Sequence, residues 1–127
     1  MSDGDTIRVR LDSGRVKRVR YIGIDTPEIA RPGAPGECYS ERASAFNERL
    51  VGDRDVRLEL DVEERDRYGR LLAYVYAGGR FVNALLVRGG YAEPLTVAPN
   101  VRHVTALRRL ARAARRRGRG LWRACAS

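Results

Sequence analysis

The stretch Arg20-Tyr21-Ile22-Gly23-Ile24-Asp25-Thr26-Pro27-Glu28 most constrains how this chain can fold. It opens as a strand, because Val19, Tyr21 and two isoleucines supply the β-branched and aromatic bulk that suits a pleated surface. It then halts at polar residues around a proline. One reading is a helix start, with Asp25 as N-cap, Pro27 in the first turn and Glu28 closing a capping box. That reading needs an amphipathic helix downstream, but the next residues are Ile29-Ala30-Arg31-Pro32-Gly33-Ala34-Pro35-Gly36. No helix survives that run of proline and glycine. Two carboxylates and Arg20 are therefore predicted at a strand end with no helix to cap.

The neighbouring segments supply partners. Asp3-Gly4-Asp5 reads as a tight turn into a half-buried strand over 6–11, where Ile7, Val9 and Leu11 alternate with Arg8 and Arg10. Asp12-Ser13-Gly14 turns the chain back into 16–24, which makes a hairpin. The start of one antiparallel strand lies beside the end of its partner, so Asp5 and Asp25 are expected to converge, the first sign of a metal site.

Further along, Ser40 is expected to N-cap a helix carrying Ala43, Phe46, Leu50 and Val51 and ended by Gly52. Val56, Leu58, Leu60 and Val62 alternate as a third strand, and 71–77 reads as a more buried one, with Tyr74 and Tyr76 in the core or barrel wall. A short helix over 81–88 stops at Gly89-Gly90. The clearest helix comes after Pro99-Asn100, with Val104, Leu107, Ala111 and Ala114 on one face and His103 at its surface. Leu121 and Trp122 are expected to fold back onto the core. Strands with the helices grouped late predict one α+β domain over 1–127, built on a small barrel.

At 127 residues and 43% hydrophobic content, the chain can bury a real core. No apolar run approaches the roughly 20 residues of a membrane helix. The opening Met1-Ser2-Asp3-Gly4-Asp5 is polar and acidic, unlike an export signal. The net charge is +9, and of the 25 basic residues all but Lys17 are arginine. Arginine's planar fork matches phosphate oxygens, which favours a polyanionic partner, nucleic acid above all. Genome composition or a solvated helix face would give the same excess, so charge alone leaves the question open. Cys38 and Cys125, with the single His103, are too few for a four-ligand zinc site. They are either a disulfide or two free thiols.

Several separated motifs then stand in a fixed order: Asp3-Gly4-Asp5-Thr6, Arg20 through Glu28, Ala43-Ser44-Ala45-Phe46, Asp66-Arg67-Tyr68-Gly69-Arg70 running on to Tyr76, Val82-Asn83, and Gly120-Leu121-Trp122. In that order the chain resembles the staphylococcal nuclease (thermonuclease) family over nearly its whole length. The resemblance implies an OB-fold, a five-stranded β-barrel with three α-helices, and Ca²⁺-dependent phosphodiesterase activity on DNA and RNA that leaves 3′-phosphate ends.

Position by position, Asp5 and Asp25 match the family's calcium carboxylates, and Thr26 matches the residue lending a backbone carbonyl. Glu28 matches the residue usually assigned as general base. Arg20 and Arg70 match the arginines that hold the scissile phosphate. Arg67 and Tyr68 match contacts to a terminal phosphate, with Arg67 in place of a lysine. Relatives with cysteines at both places suggest a Cys38–Cys125 disulfide, and exported relatives imply a secreted or extracytoplasmic location. The residue types suit the chemistry. Ca²⁺ takes 6–8 oxygen ligands, so two carboxylates and a carbonyl leave room for water and a phosphate oxygen. Two arginines answer the charge that builds on the phosphate.

Taken singly, each motif has an ordinary explanation: Asp3-Gly4-Asp5 a turn, 66–69 a hairpin loop, Arg70 a surface charge. Jointly, chance would have to supply both aspartates, the glutamate and both arginines. The other functional class is a non-catalytic nucleic-acid or protein-binding module on the same fold. Such modules usually lose the acidic ligands and arginines that this chain keeps. Two departures bear on the expectations. The family's base-stacking tyrosine segment corresponds to 94–98, which carries no aromatic residue, so base discrimination should be weak. The family's first strand lies upstream of the Asp-Gly-Asp turn, and here the chain begins two residues before that turn. A truncated first strand would leave 6–11 on an open edge. The expected state is then a monomer with weak dimerisation through that edge, lowered stability and weak calcium affinity.

Overall fold

The alternation over 6–11 becomes strand β1 (Thr6–Arg10), paired antiparallel with β2 (Val16–Tyr21) in a register from Thr6↔Arg20 to Arg10↔Val16. The structure is a computed structural model that describes residues 3–125, so Met1 and Ser2 of the opening segment lie outside it. Residues 24–25 form β3 (Ile24–Asp25), after which come helix α1 (Ser40–Val51) and β4 (Val56–Glu59). The central strand is β5 (Leu71–Ala77), parallel to β2 and antiparallel to β4 and to the two-residue β6 (Arg80–Phe81). Helix α2 (Val82–Arg88), β7 (Glu93–Pro94), helix α3 (Val104–Arg116) and the single turn α4 (Leu121–Ala124) complete the chain. The sheet order β1-β2-β5-β4 curls into a half-barrel of OB-fold type.

The core sits where β2 and β5 meet α2 and α3. Val19, Ile24, Ala73, Val75, Val82, Leu86 and Val87 are fully buried, with Tyr21, Tyr74 and Leu107 nearly so. The third strand is shorter than its alternation predicts. It ends at Glu59, and Val62 points into solvent at 70% exposure. There Arg102 draws the chain out of the ladder, with its guanidinium on Glu59 and its amide on Asp61.

Two helix-end expectations need correction. Ser40 is not the N-cap of α1 but its first, buried residue. Tyr39 takes the cap position in a left-handed conformation (φ 73°) with no side-chain cap bond. The Tyr39 ring lies 5.6 Å from Tyr91, which stacks on Phe46 at 4.2 Å, so aromatic packing sets the helix entry in place of a hydroxyl cap. His103 is half-buried and not free on the helix surface. It precedes α3, meets Tyr74 edge-on at 4.4 Å, and sets Nε2 3.0 Å from Glu59. The rings of Tyr74 and Phe81 needed cover, and His103 provides it.

Leu121 does fold back and is buried. Cys38 and Cys125, 87 residues apart, form a disulfide with Cα atoms at 5.8 Å, tying the loop before α1 to the end of α4. The outermost strands, β1 and β4, are not paired to one another. An open groove of about 1610 Å³ lies along them, lined by Ile7, Val9, Leu11, Val51, Val56 and Leu58 among others. No helix of the described residues is long and apolar enough to cross a membrane.

Candidate active site

The hairpin closes where the Tyr21 amide donates to the Asp5 carbonyl (2.9 Å). The chain must then reverse in very little space. Gly23 does this at φ +84°, where a side chain would be strained and a Cβ would stand 2.7 Å from Leu107 Cδ1, so the turn favours glycine. Beyond it, Ile24 and Asp25 pair with Glu93 and Pro94, and Asp25 returns beside Asp5. Asn83, fully buried, clasps this reversal to the sheet. Its Nδ2 donates to the Ile22 carbonyl (2.8 Å) and its Oδ1 accepts the Val75 amide (2.9 Å).

Arg20 gathers the two aspartates. Its Nη2 lies 3.4 Å from Asp5 Oδ2 and 3.6 Å from Asp25 Oδ1, while Nη1 donates to the carbonyls of Tyr21 (2.8 Å) and Ile24 (3.0 Å). Asp5 is buried, accepting the Thr26 amide (3.0 Å) and the Thr6 hydroxyl (3.2 Å). The Asp25 carboxyl is half exposed. Burial and then the Asp5 charge push it above its usual range, against the pull of Arg20. The pair thus carries more negative charge than one guanidinium relieves, and an added cation would be welcome there.

Thr26 Oγ1 is buried with no partner among the described residues. The donors are all oxygens, which suits a hard cation such as Ca²⁺ and not a thiolate-seeking metal. Among the described residues, no cluster of three or more His, Cys, Asp or Glu side chains forms. Carbonyl, water and substrate oxygens would have to complete a coordination shell.

The other predicted residues stand in separate local pairings. The half-exposed carboxylate of Glu28 pairs with Arg31. The Glu28 backbone is clamped by Glu37, whose Oε1 accepts its amide (2.6 Å) and whose amide reaches its carbonyl (2.8 Å). Asp3 Oδ1 takes the next amide, that of Ile29 (2.8 Å). Arg70 donates from Nε to Asp66 Oδ2 (2.8 Å), and Asp66 Oδ1 accepts the amides of Tyr68 and Arg70, both at 2.9 Å. Burial alone would raise the Asp66 carboxyl, but these bonds outweigh it and hold the group below its usual range.

Arg70 lies two residues before Leu72, the register partner of Arg20 on the neighbouring strand, so the two arginines sit towards one sheet face. Among the described residues no hydrogen bond or ion pair joins Arg70 to the aspartates. On the exposed turn, Arg67 Nη2 donates to the Tyr68 hydroxyl (2.7 Å) with its guanidinium 4.9 Å from the ring centroid. Ion pairs and a hydrogen bond thus link Asp5, Arg20, Asp25 and Thr26, whereas among the described residues no hydrogen bond or ion pair joins Glu28, Arg67, Tyr68 or Arg70 to them. Sequence reasoning missed Asn83, Asp3 and Glu37 as the residues that position this site. Only an amide in an otherwise apolar helix, Val82-Asn83-Ala84-Leu85-Leu86, hinted at the first of them.

Comparison with known proteins runs along the same lines. The model of the family described as staphylococcal nuclease homologue matches residues 18–124. The thermonuclease of Staphylococcus hyicus is 38% identical over 120 residues, covering 94% of this chain and 70% of that protein. The thermonuclease of Staphylococcus intermedius is equally similar, with 71% of its length covered. Endonuclease YncB of Bacillus subtilis is 42% identical over 108 residues, covering 84% of this chain and 51% of that protein. On this breadth of match the chain belongs to the staphylococcal nuclease family.

Proposed function

We propose that this chain is a calcium-dependent nuclease that hydrolyses phosphodiester bonds of DNA and RNA. The observation that carries the reading is the meeting of Asp5 and Asp25 across Arg20, an anionic oxygen pair beside a phosphate-matching fork. The thermonuclease and endonuclease relatives support it. Asp5, Asp25 and the Thr26 carbonyl would hold Ca²⁺. When bound, the ion supplies positive charge to the phosphate oxygens as negative charge builds on them. Arg20 and Arg70 grip the same phosphate, and Arg67 and Tyr68 take a terminal phosphate. Glu28 orients the attacking water and accepts its proton.

For that, Glu28 must turn away from Arg31, and an exposed pair of this kind resists by roughly 0.2–1 kcal/mol, a factor of about five at most. Water attacks phosphorus, the bond to the 5′ oxygen breaks, and the products are a 3′-phosphate and a 5′-hydroxyl. The Cys38–Cys125 disulfide supports an oxidising, extracytoplasmic setting.

Digestion of single-stranded DNA with Ca²⁺ and with chelator tests the reading. Cleavage should occur only with Ca²⁺, and equal cleavage in chelator refutes the metal assignment. Glu28→Gln should keep calcium binding in calorimetry while losing about 10²-fold or more in kcat, the scale of a removed acid–base group. Loss of calcium binding in this variant would recast Glu28 as a ligand. No cleavage under either condition would favour the non-catalytic module.

A further inference from the structure

The charge of this chain is segregated. Residues 1–93 hold sixteen basic and sixteen acidic side chains, whereas residues 94–127 hold nine arginines and no acidic residue, so the whole excess of +9 lies in the last quarter of the sequence. Most of it sits on α3. At about 100° per residue, Arg108, Arg109, Arg112, Arg115 and Arg116 fall within a stripe roughly 120° wide, opposite the buried face of Leu107, Ala111 and Ala114. All five are exposed, and among the described residues none is in an ion pair. Helix-dipole stabilisation explains the last turn but not Arg108, Arg109 or Arg112 further back. Repulsion along such a face costs stability, so it calls for a function.

We propose that the arginine face of α3 binds the phosphate backbone of a nucleic-acid strand that continues out of the cleavage site. This rests on the nuclease reading of that site. The two regions are joined directly. The β3 strand carrying Asp25 pairs with β7, the Leu95 amide bonds the Gly23 carbonyl (2.9 Å), and Arg108 Nη2 reaches the Thr96 hydroxyl (3.3 Å). Past that loop, arginines recur along about 12 Å of helix at three- and four-residue steps, roughly 4.5–6 Å apart along the axis. That is a ladder of forks for successive phosphates. An anionic lipid surface fits less well, because an interfacial helix needs an apolar face free to enter the membrane, and that of α3 is packed against α2 and the core.

The test is the full chain with Arg109, Arg112 and Arg116 changed together to Gln. These three have no partner among the described residues, and Arg108 and Arg115 are left in place. Binding of a labelled 30-nucleotide deoxythymidine strand, in chelator, is measured against salt. Each lost phosphate contact should reduce the slope of log K against log salt by about 0.7. The triple variant should therefore flatten by about 2 and bind up to about 100-fold more weakly at 0.1 M salt. The triple Lys variant should restore the slope, since ion release counts charge. With Ca²⁺, the Gln variant should raise KM for the long strand and leave cleavage of a dinucleotide unchanged.

An unchanged slope with a wild-type KM overturns the proposal. So does an unchanged slope with binding to phosphatidylglycerol vesicles that the Gln variant loses, which would assign the face to a membrane. A flattened slope in a chain that cleaves nothing keeps the face and removes the nuclease reading instead.

Discussion

Asn83 offers the sharpest test of how the fold holds the site. It is fully buried, and its amide satisfies two buried backbone groups, the Val75 N–H and the Ile22 carbonyl. Asn83→Ala strands both. Each unsatisfied buried group costs about 1–3 kcal/mol, so the substitution should destabilise by about 2–6 kcal/mol. Domains of this size hold about 5–15 kcal/mol in all. In urea, at a slope of about 2 kcal/mol/M, the midpoint should fall by roughly 1–3 M with the slope unchanged.

Asn83→Asp distinguishes the hydrogen bonds from simple loss of packing. A protonated carboxyl can accept from Val75 and donate to Ile22, whereas the ionised form cannot donate and is buried as a charge. Its folded pKa is raised, so its stabilisation is complete below the unfolded value near 3.9 and lost as pH rises through the folded one. The Asp variant should therefore lie nearer wild type at pH 4 than at pH 7. A loss under 1 kcal/mol for Asn83→Ala, or no pH difference for Asn83→Asp, would refute the clasp.

Other outcomes rest on the same structure. Because burial and Asp5 raise the Asp25 carboxyl, Asp25→Asn should raise the Tm of the calcium-free protein and should abolish the rise in Tm that the proposed Ca²⁺ site predicts; a lowered calcium-free Tm would contradict this. The depressed carboxyl of Asp66 stabilises the fold fully above its ordinary value of 3.8 and loses that contribution as pH falls through its lower folded value. Asp66→Asn should accordingly flatten the acid limb of a stability–pH curve, and an unaltered limb would count against the Asp66–Arg70 pairing. Replacing Cys38 and Cys125 by Ser should cost about 4.5 kcal/mol by loop entropy across 87 residues, measured by urea unfolding. The outer edge of β1, unpaired among the described residues, predicts weak self-association, read as scattering mass rising with concentration; a constant monomer mass across the range would reject it.

Much of this was legible in the sequence, and the parts that were not share a cause. The hairpin, the buried strand at Leu71–Ala77 and the meeting of Asp5 with Asp25 arise from alternation and turn residues, which act over a few positions. Ser40 and His103 were misread because their places depend on distant partners. Tyr91 and Phe46 draw Tyr39 into the cap, and Tyr74, Phe81 and Glu59 draw His103 inward. Local rules hold no knowledge of those contacts. The same holds for Asn83, whose two backbone partners are 8 and 61 residues away. Glu28 stood out as a carboxylate at a strand end with no helix to cap, its role came from the resemblance, and its pairing with Arg31 across three residues went unnoticed.

The disulfide has a topological meaning beyond its energy. It turns residues 38–125 into a covalent ring, with the first strands hanging outside as a tail. A protease that cuts the exposed turn at Arg67-Tyr68 or the loop at Leu95–Val97 opens the ring once and releases nothing, because both pieces stay joined through Cys38 and Cys125. A cut at Arg15 or at Arg31, each exposed, falls in the tail. It frees a fragment carrying Asp5, or Asp5 with Arg20 and Asp25, held thereafter by non-covalent contacts alone. Nicked protein run without reductant would separate the two cases by size. The covalent frame guards the helices, and the aspartates depend on the sheet.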